Sequence, residues 1–529
     1  MDFRFNPLTV EIWRHRLASI AEEMGTTLER VAYSPNIRER LDYSCAIFDA
    51  RGRLIAQAAH IPVHLGAMPL MMRKLLRAVS WSPNTLWLCN DPRFGGTHLP
   101  DLTLTAPVYT TNRTKRLIGF VSCRAHHADI GGMTPGSLPL SLSAYQEGLI
   151  LPPVALVEKG KQREDLLDLL CANSRAPHER RGDIAAQIAA CHVGISRMQQ
   201  LVNRHGLTTF LHHAEETLHY AEAATRQILA QMPVGSWQAA QRLELPTDEV
   251  KYLKVTLRFD GSGTAQFDFS GTSAQTQSCL NATEAITHAA CAYVVRCLAS
   301  EELPTNEGCF APLQIIAPEG TLVNARFPAA TAGGNVETSQ RLVALLLAAL
   351  RQALPHQMPA DSQGTMNNVV IGGLSTGEEG QEDAWTYYET LAGGAGASPQ
   401  TPGASAVHTH MTNTRNTPVE VLESYYPLQV VEYALREGSG GRGFHPGGEG
   451  LIRRLRLRAP AHITLLTSSR AQRPQGANGG EAGASGRNYL LLPDGTKQEL
   501  PAFWSGACPA DTVLTVETPG GGGWGAPPG

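Results

Sequence analysis

A chain of 529 residues carrying 44 basic and 48 acidic side chains, net charge -4, is long enough to bury more than one core and needs no disulfide or metal staple to fold. It holds no run of five or six like charges, which excludes the concentrated basic face of an electrostatic nucleic-acid binder. Its ten cysteines show neither CxxC nor zinc-finger spacing and are read as buried, reduced thiols of a cytoplasmic protein.

The opening segment MDFRFNPLTVEIWRHRL is charged and amphipathic and lacks the apolar core and small-residue cleavage site of a signal peptide. From Val10 the apolar positions Trp13, Leu17, Ile20, Met24, Leu28 and Val31 recur in steps of three and four. That spacing predicts an amphipathic helix closed by Pro35. Cys45 to Gln57 predicts a hairpin turning at Asp49 to Gly52, and Trp87 to Gly96 a strand running into a loop. A second hairpin is expected from Leu102 to Thr110 and Arg116 to Cys123, across the polar turn TNRTK.

Helices are expected from about Asp165 to Met232, and a β-meander from Val250 to Ser273 around its Asp-Gly-Ser-Gly turn. Two further helices are expected at Ala285 to Ala299 and Val336 to Leu354. The latter contains the longest apolar run, Leu342 to Leu350, which is too short for a bilayer span of roughly 20 residues; a soluble protein without a membrane partner is expected. The last third alternates short strands (LIRRLRLR, HITLLTS) with long glycine loops, read as ordered β structure with flexible linker as the competing reading. Helices and strands come in blocks, so the fold class is α+β and not a doubly wound sheet. The expected division is 1–160, an α+β region with the candidate site; 161–245, helical; 246–430, central α+β; and 431–529, glycine-rich β.

The chemistry concentrates at the second hairpin. If it closes around Asn112 to Thr114, Asp101 lies across from Ala125 and His98 falls near Ala128. The stretch GGTHLPDLTL then meets RAHHADIGG, and His98 and Asp101 come close to His126, His127 and Asp129. Neighbouring residues of an extended segment point to opposite faces, so only one of His126 and His127 joins the pocket. The residues alone leave open which. Two imidazoles and one carboxylate with open positions suit a catalytic divalent transition metal, Mn, Zn or Fe, and Asp129 is placed to orient a ligand histidine. A lone His or Asp in such a loop is more often a turn-former; the convergence of several favours a site. His60 and His64 flank Pro62 and are candidates to line the same cleft. His408, His410, Asn413 and Arg415 share one extended stretch and are candidates for gripping substrate. No GxxxxGK[ST] loop and no GxSxG elbow occur, so any nucleotide chemistry is expected on another chain.

The stretches NDPRFGGTHLPDLTL, AHHADIGGMTPGS, AGGNVETSQR, YYETLAGGAGA and GASAVHTHMTNTR resemble the hydantoinase B family, from about Asn6 to the terminal PGGGGWG. That family includes the B subunits of ATP-dependent N-methylhydantoin and 5-oxoproline hydrolases. The resemblance implies a hydantoinase A-type partner subunit that binds MgATP and activates a cyclic amide. It also implies a divalent metal site like that of the related acetone carboxylase subunit, falling on His98, Asp101 and His126. His127 or Asp129 is then the expected proton acceptor. NVETSQR and HTHMTNTR resemble the oxoprolinase branch most, which implies 5-oxoproline as substrate and L-glutamate, ADP and phosphate as products. The segment ASPQTPGASAVHTH departs from the family pattern, being shorter and polar where glycine and tryptophan are expected. Hydantoin hydrolysis, an acetone-carboxylase-like carboxylation and a non-catalytic scaffold are the alternatives.

Overall fold

The computed structural model describes residues 6–58, 60–299, 302–376 and 382–528; residues 1–5 of the charged opening segment lie outside these. Helix α1 (Pro7–Val31) begins where the Asn6 side chain accepts from the N–H groups of Leu8 and Thr9, satisfying donors that the first turn leaves open. It buries the stripe read from the sequence at Val10, Trp13, Leu17, Ile20, Met24 and Leu28, while its last expected position, Val31, is exposed. The helix stops at Val31, and Pro35 opens the separate short turn α2 (Pro35–Arg38) instead of closing α1.

Both expected hairpins form. The strands β1 (Tyr43–Asp49), β2 (Leu54–Gln57), β3 (Leu86–Cys89), β4 (Asp101–Tyr109), β5 (Leu117–His126), β6 (Val154–Glu158) and β7 (Lys161–Gln162), with α3 (Ala67–Ala78) between β2 and β3, build one sheet. Its order is β2-β1-β5-β4-β3-β6-β7. The expected helical stretch is α4 (Glu164–Ala172), α5 (Pro177–His205) and α6 (Leu207–Ala230). Helix α5 packs against α1 and against the central strands β4 and β5, over a core that includes Leu17, Met24, Leu104, Val121 and Met198. Gly194 sets how closely α5 approaches, since a Cβ there would stand 2.4 Å from Met24 Sδ.

Strands β8 (Gly235–Leu243), β9 (Lys251–Phe259), β10 (Ala265–Asp268) and β11 (Leu313–Ile316) form a four-stranded sheet. Strand β8 is an addition to the sequence reading: its inward positions Trp237, Ala239, Gln241 and Leu243 are too mixed to stand out as an apolar alternation. Helices α7 (Glu284–Cys297) and α8 (Ser339–Ala353) pack together, and α8 lies on β8 and β9. A single π-helical turn, Gly334–Thr338, precedes α8 where the sequence predicts regular helix.

The remaining strands are β12 (Asn368–Thr376), β13 (Glu382–Thr390), β14 (Leu428–Arg436), β15 (Gly450–Leu457), β16 (Ala461–Leu466), β17 (Arg487–Leu491), β18 (Lys497–Leu500), β19 (Phe503–Cys508) and β20 (Val513–Glu517), with α9 (Val419–Tyr425) before β14. They form sheets β13-β12-β16-β19 and β14-β15-β20-β17-β18, which share a core including Ile371, Tyr387, Leu455, Leu465 and Leu514. The glycine loops between them are hydrogen-bonded to one another, and several of their glycines, Gly441, Gly448 and Gly521 among them, are buried. Gly441 N–H donates to Gly521 O at 2.8 Å, and Gly521 N–H to Gly448 O at 2.9 Å. A Cβ on Gly521 would fall 1.9 Å from Ala395 O, so glycine is used for backbone-to-backbone packing. The architecture is α+β, as the block pattern predicts. All ten cysteines are unpaired, and no helix among the described residues is long and apolar enough to cross a membrane.

Candidate metal centre

The β4–β5 hairpin determines which residues meet. Tyr109 pairs with Leu117, but Val108 pairs with Gly119, leaving Ile118 as an extra residue in β5. This bulge shifts the rest of the ladder by one position from the register counted from the turn. Asp101 is therefore opposite His126, not Ala125. Directly opposed residues share a face, so the bulge selects His126 and sends His127 to the other side. The turn before β4, in which Asp101 N–H donates to His98 O at 3.2 Å, brings His98 back over the same face.

The three side chains form a tight triangle. Asp101 Oδ1 lies 2.9 Å from His98 Nε2 and 3.3 Å from His126 Nδ1, and the two imidazole nitrogens are 3.1 Å apart. All three residues are buried. Asp101 Oδ2 is held by Thr97 Oγ1 and by His64 Nε2 at 3.3 Å, and His64 Nδ1 is 2.8 Å from Ser44 Oγ. His98 Nδ1 faces the Ala332 carbonyl at 3.4 Å, and Asn335 Nδ2 is 3.1 Å from His98 Nε2. The His126 ring stacks on Tyr388 at 4.8 Å between centroids.

Burial alone would raise the Asp101 carboxyl, but the charge of His98 and hydrogen bonds from His126, His64 and His98 outweigh it and hold it well below its ordinary value. Burial likewise works against a charged His98, yet Asp101 lifts it above the ordinary histidine value. His126 is lowered by burial, which the Asp101 hydrogen bond only partly offsets. The cluster is thus an anion surrounded by imidazoles in a dry pocket.

These residues fit a divalent ion. Their ligand atoms lie within 4.8 Å of one another; ligand bonds of about 2.1 Å, as for Zn–N, place tetrahedral ligands roughly 3.4 Å apart, slightly beyond the observed edges. With Nδ1–H directed at Ala332 O, His98 would offer Nε2 to an ion that displaces its proton, the usual way a carbonyl fixes the ligating tautomer. His126 Nε2 and Asn335 Oδ1 are buried without a hydrogen-bond partner. Beside Asp101 and His126 is a cavity of about 20 Å³, also lined by Asp42, Asn335, Tyr388 and Met411, enough for one water-sized body.

Of the other expected site residues, His64 reaches this cluster and the rest do not. His127 Nε2 donates to Gln187 Oε1 at 2.9 Å, and Gln187 Nε2 donates to the Leu102 and Cys123 carbonyls. His127 thus faces α5, and burial, then the charge of Arg180, pushes it well below its ordinary value. Asp129 accepts from Gly131 N, Gly136 N and Arg175 N, and pairs with Arg175 Nη1 at 2.8 Å. It ties loops together. His64 does reach Asp101, whereas His60 Nδ1 accepts from Cys45 N and its ring packs edge-on to Tyr43.

In the HTHMTNTR stretch the expected strand alternation is broken at His410, whose φ of 58° is left-handed. Met411 and Thr412 consequently line the small cavity. His410 turns to Tyr293 Oη at 3.4 Å, Asn413 Nδ2 donates to His60 O, and Arg415 is exposed. His408 sits beside Arg40, and burial followed by that charge pushes it down to about 4. Burial likewise takes His410 to about 4, and burial followed by the nearby His64 does the same to His60. The sequence reading assigned no role to Asn335 or Tyr388; both lie in stretches singled out as motifs, and only the fold brings them to the hairpin.

The pattern of the Hydantoinase B/oxoprolinase family matches residues 6–527. The 5-oxoprolinase 1 of Arabidopsis thaliana is 39% identical over 546 residues, an alignment that takes in 98% of this chain and 42% of the plant protein. The chain therefore spans about two fifths of that relative's length. The crystal structure of an ATP-dependent caprolactamase from Pseudomonas jessenii superimposes with a TM-score of 0.90 at 25% identity, covering 99% of this chain and 92% of that one. A nucleotide-free acetone carboxylase shares the fold, with a TM-score of 0.87 at 18% identity over 98% of this chain and 76% of its own. Matched almost from end to end by the family pattern, the chain belongs to the hydantoinase B/oxoprolinase family.

Proposed function

We propose that this chain is the B-type component of a cytoplasmic, ATP-dependent cyclic-amide hydrolase that opens 5-oxoproline to L-glutamate, with His98, Asp101 and His126 holding a divalent metal ion. The observation that carries this reading is the buried triangle of two imidazoles and one carboxylate beside a water-sized cavity. The 5-oxoprolinase relative, and the caprolactamase that is also named for ATP-dependent opening of a lactam, support the substrate class. The portion of the plant 5-oxoprolinase that this chain does not cover supports a separate partner, an A-type subunit that binds MgATP.

A lactam is resonance-stabilised and resists water. Phosphorylation of its oxygen by ATP on the partner removes the amide resonance; one water adds to that carbon, the C–N bond breaks to leave an acyl phosphate, and a second water releases phosphate, so that 5-oxoproline, ATP and two waters give L-glutamate, ADP and phosphate. When bound, the divalent ion supplies Lewis acidity, polarising a carbonyl and acidifying water. The chain's own residues prepare the site. Ala332 O orients His98, while His64 and Thr97 fix the second Asp101 oxygen. Tyr388 holds the His126 ring flat, and Asn335 presents an unpartnered amide oxygen at the cavity. The buried surroundings exclude bulk water, which strengthens each of these polar contacts.

The purified chain, alone and with its A-type partner, is tested for metal content and for ADP release with 5-oxoproline, hydantoins, or acetone plus bicarbonate. Metal near one ion per chain and glutamate formation only with 5-oxoproline, ATP and partner are expected. His98→Ala should lose the ion and at least 100-fold in turnover; full ATP-coupled turnover in that variant would sink the assignment.

A further inference from the structure

The cavity of about 20 Å³ at the cluster has room for one water-sized body, and a five-membered lactam carrying a carboxylate is several times larger. Substrate therefore needs a way in. A second pocket, of about 360 Å³, is of the size that takes small organic ligands. It lies behind the same two chain segments that wall the small cavity. In the first segment Ile61, Val63 and His64 line the inner cavity while His60 and Pro62 line the outer pocket; in the second, Met411 and Thr412 line the inner one and Asn413 the outer. The partition is a single layer of chain. Val63 N–H donates to Met411 O at 3.3 Å, and Asn413 Nδ2 to His60 O at 3.1 Å, across it.

The outer pocket offers groups that suit an anionic cyclic amide. Arg296 gives one hydrogen bond to Pro304 O at 3.2 Å and pairs with no carboxylate among the described residues. Its remaining guanidinium N–H groups are a fork suited to a carboxylate. Asn413, exposed, and the Tyr293 hydroxyl add neutral hydrogen-bonding groups. The pocket's acidic residue, Glu302, is near Arg14 at 3.6 Å. The pocket also contains Cys297, which is exposed while the other nine cysteines are buried.

We propose that this pocket is the antechamber of the active site. Arg296 and Asn413 receive the carboxylate of 5-oxoproline there, and the Ile61–Met411 partition moves aside to admit the ring to the metal centre. The proposal rests on the reading of function above for the reaction that follows, but binding in the pocket can be measured separately. In the assembled complex, Cys297 is labelled with a maleimide, its assignment checked by loss of the label in Cys297→Ser. Saturating 5-oxoproline should slow labelling at least fivefold, and hydantoin, which lacks the carboxylate, should slow it far less. Arg296→Gln should abolish that protection and raise KM for 5-oxoproline about tenfold with kcat little changed, leaving the weaker effect of hydantoin on labelling where it was. Labelling indifferent to 5-oxoproline, or an unchanged KM in Arg296→Gln, overturns the antechamber. A complex that protects Cys297 from label in a carboxylate-dependent way but turns over no cyclic amide overturns the reaction and supports the pocket.

Discussion

His126 and His127 are chain neighbours with opposite fates. One imidazole meets Asp101 Oδ1; the other donates to Gln187 on α5. His127→Ala should leave metal content unchanged and destabilise by about 1–3 kcal/mol, because Gln187 Oε1 is left buried without its donor. Urea unfolding and metal analysis of the same sample separate the two effects. His64→Ala acts in the reverse sense: it removes the imidazole that holds Asp101 Oδ2 and should weaken metal affinity roughly 10–100-fold, as loss of a group supporting a ligand does. Competition with a chromogenic chelator measures this, and an affinity equal to that of the unmodified chain would show that Asp101 needs no such support. The His98 and Asp101 pairing was legible from the sequence, since both sit at the open end of one hairpin. The choice between His126 and His127 was not legible from the residues alone and came only from the family resemblance, because it turns on one extra residue, Ile118, on the far side of the ladder.

At the scale of elements, the site depends on a strand pair clamped by a helix. Gln187 of α5 donates to the Leu102 carbonyl of β4 at 3.0 Å and to the Cys123 carbonyl of β5 at 3.2 Å, while accepting from His127. Gln187→Leu keeps the volume but removes all three bonds, and should cost about 3 kcal/mol from buried groups left unsatisfied. Chemical denaturation checks it; a loss below about 0.5 kcal/mol, the range of inert surface changes, would mean that the clamp is redundant. The stripe of α1 and the apolar run of α8 were readable because periodicity reports burial directly. Strand β8 and the π-helical turn at Gly334–Thr338 were not. The first has weakly apolar inward positions, and the second is a change of hydrogen-bonding partner with no compositional signature.

Over the whole molecule, two buried carboxyls join parts far apart in sequence. Glu147 accepts from the N–H groups of Thr331 and Ala332 at 2.8 and 2.9 Å. Glu337 accepts from Met366 N at 3.0 Å and Asn368 Nδ2 at 2.8 Å. Burial, the largest influence on each, pushes both up to about 7 from an ordinary 4.5. Between those values the folded chain holds protons that the unfolded chain has released. Each group's contribution is therefore complete below pH 4.5 and lost as the pH rises to about 7, a loss of about 3 kcal/mol per group. Against the gain from His60, His408 and His410, which burial holds down to about 4, these two carboxyls give stability a downward slope between pH 5 and pH 8. Glu147→Gln, which keeps an accepting oxygen and never ionises, should flatten that slope by one group's share. Urea unfolding at both pH values measures it, and a variant with the parent's slope would show that Glu147 does not titrate in this range.

By itself the sequence determined what is local or periodic: the block order of helices and strands, the two hairpins, the core stripes and the meeting of His98 and Asp101 with the histidine pair across the turn. Such features depend on spacing along one stretch of chain, and side-chain chemistry is enough to display them. Only the tertiary structure decided the rest. A bulge chose His126, the left-handed turn at His410 put Met411 and Thr412 at the cavity in place of the expected histidines, and the packing of distant segments delivered Asn335, Tyr388 and the Ala332 carbonyl. Those outcomes depend on register and on contacts between residues hundreds of positions apart, which reside in the three-dimensional arrangement of the chain and not in any short stretch of it.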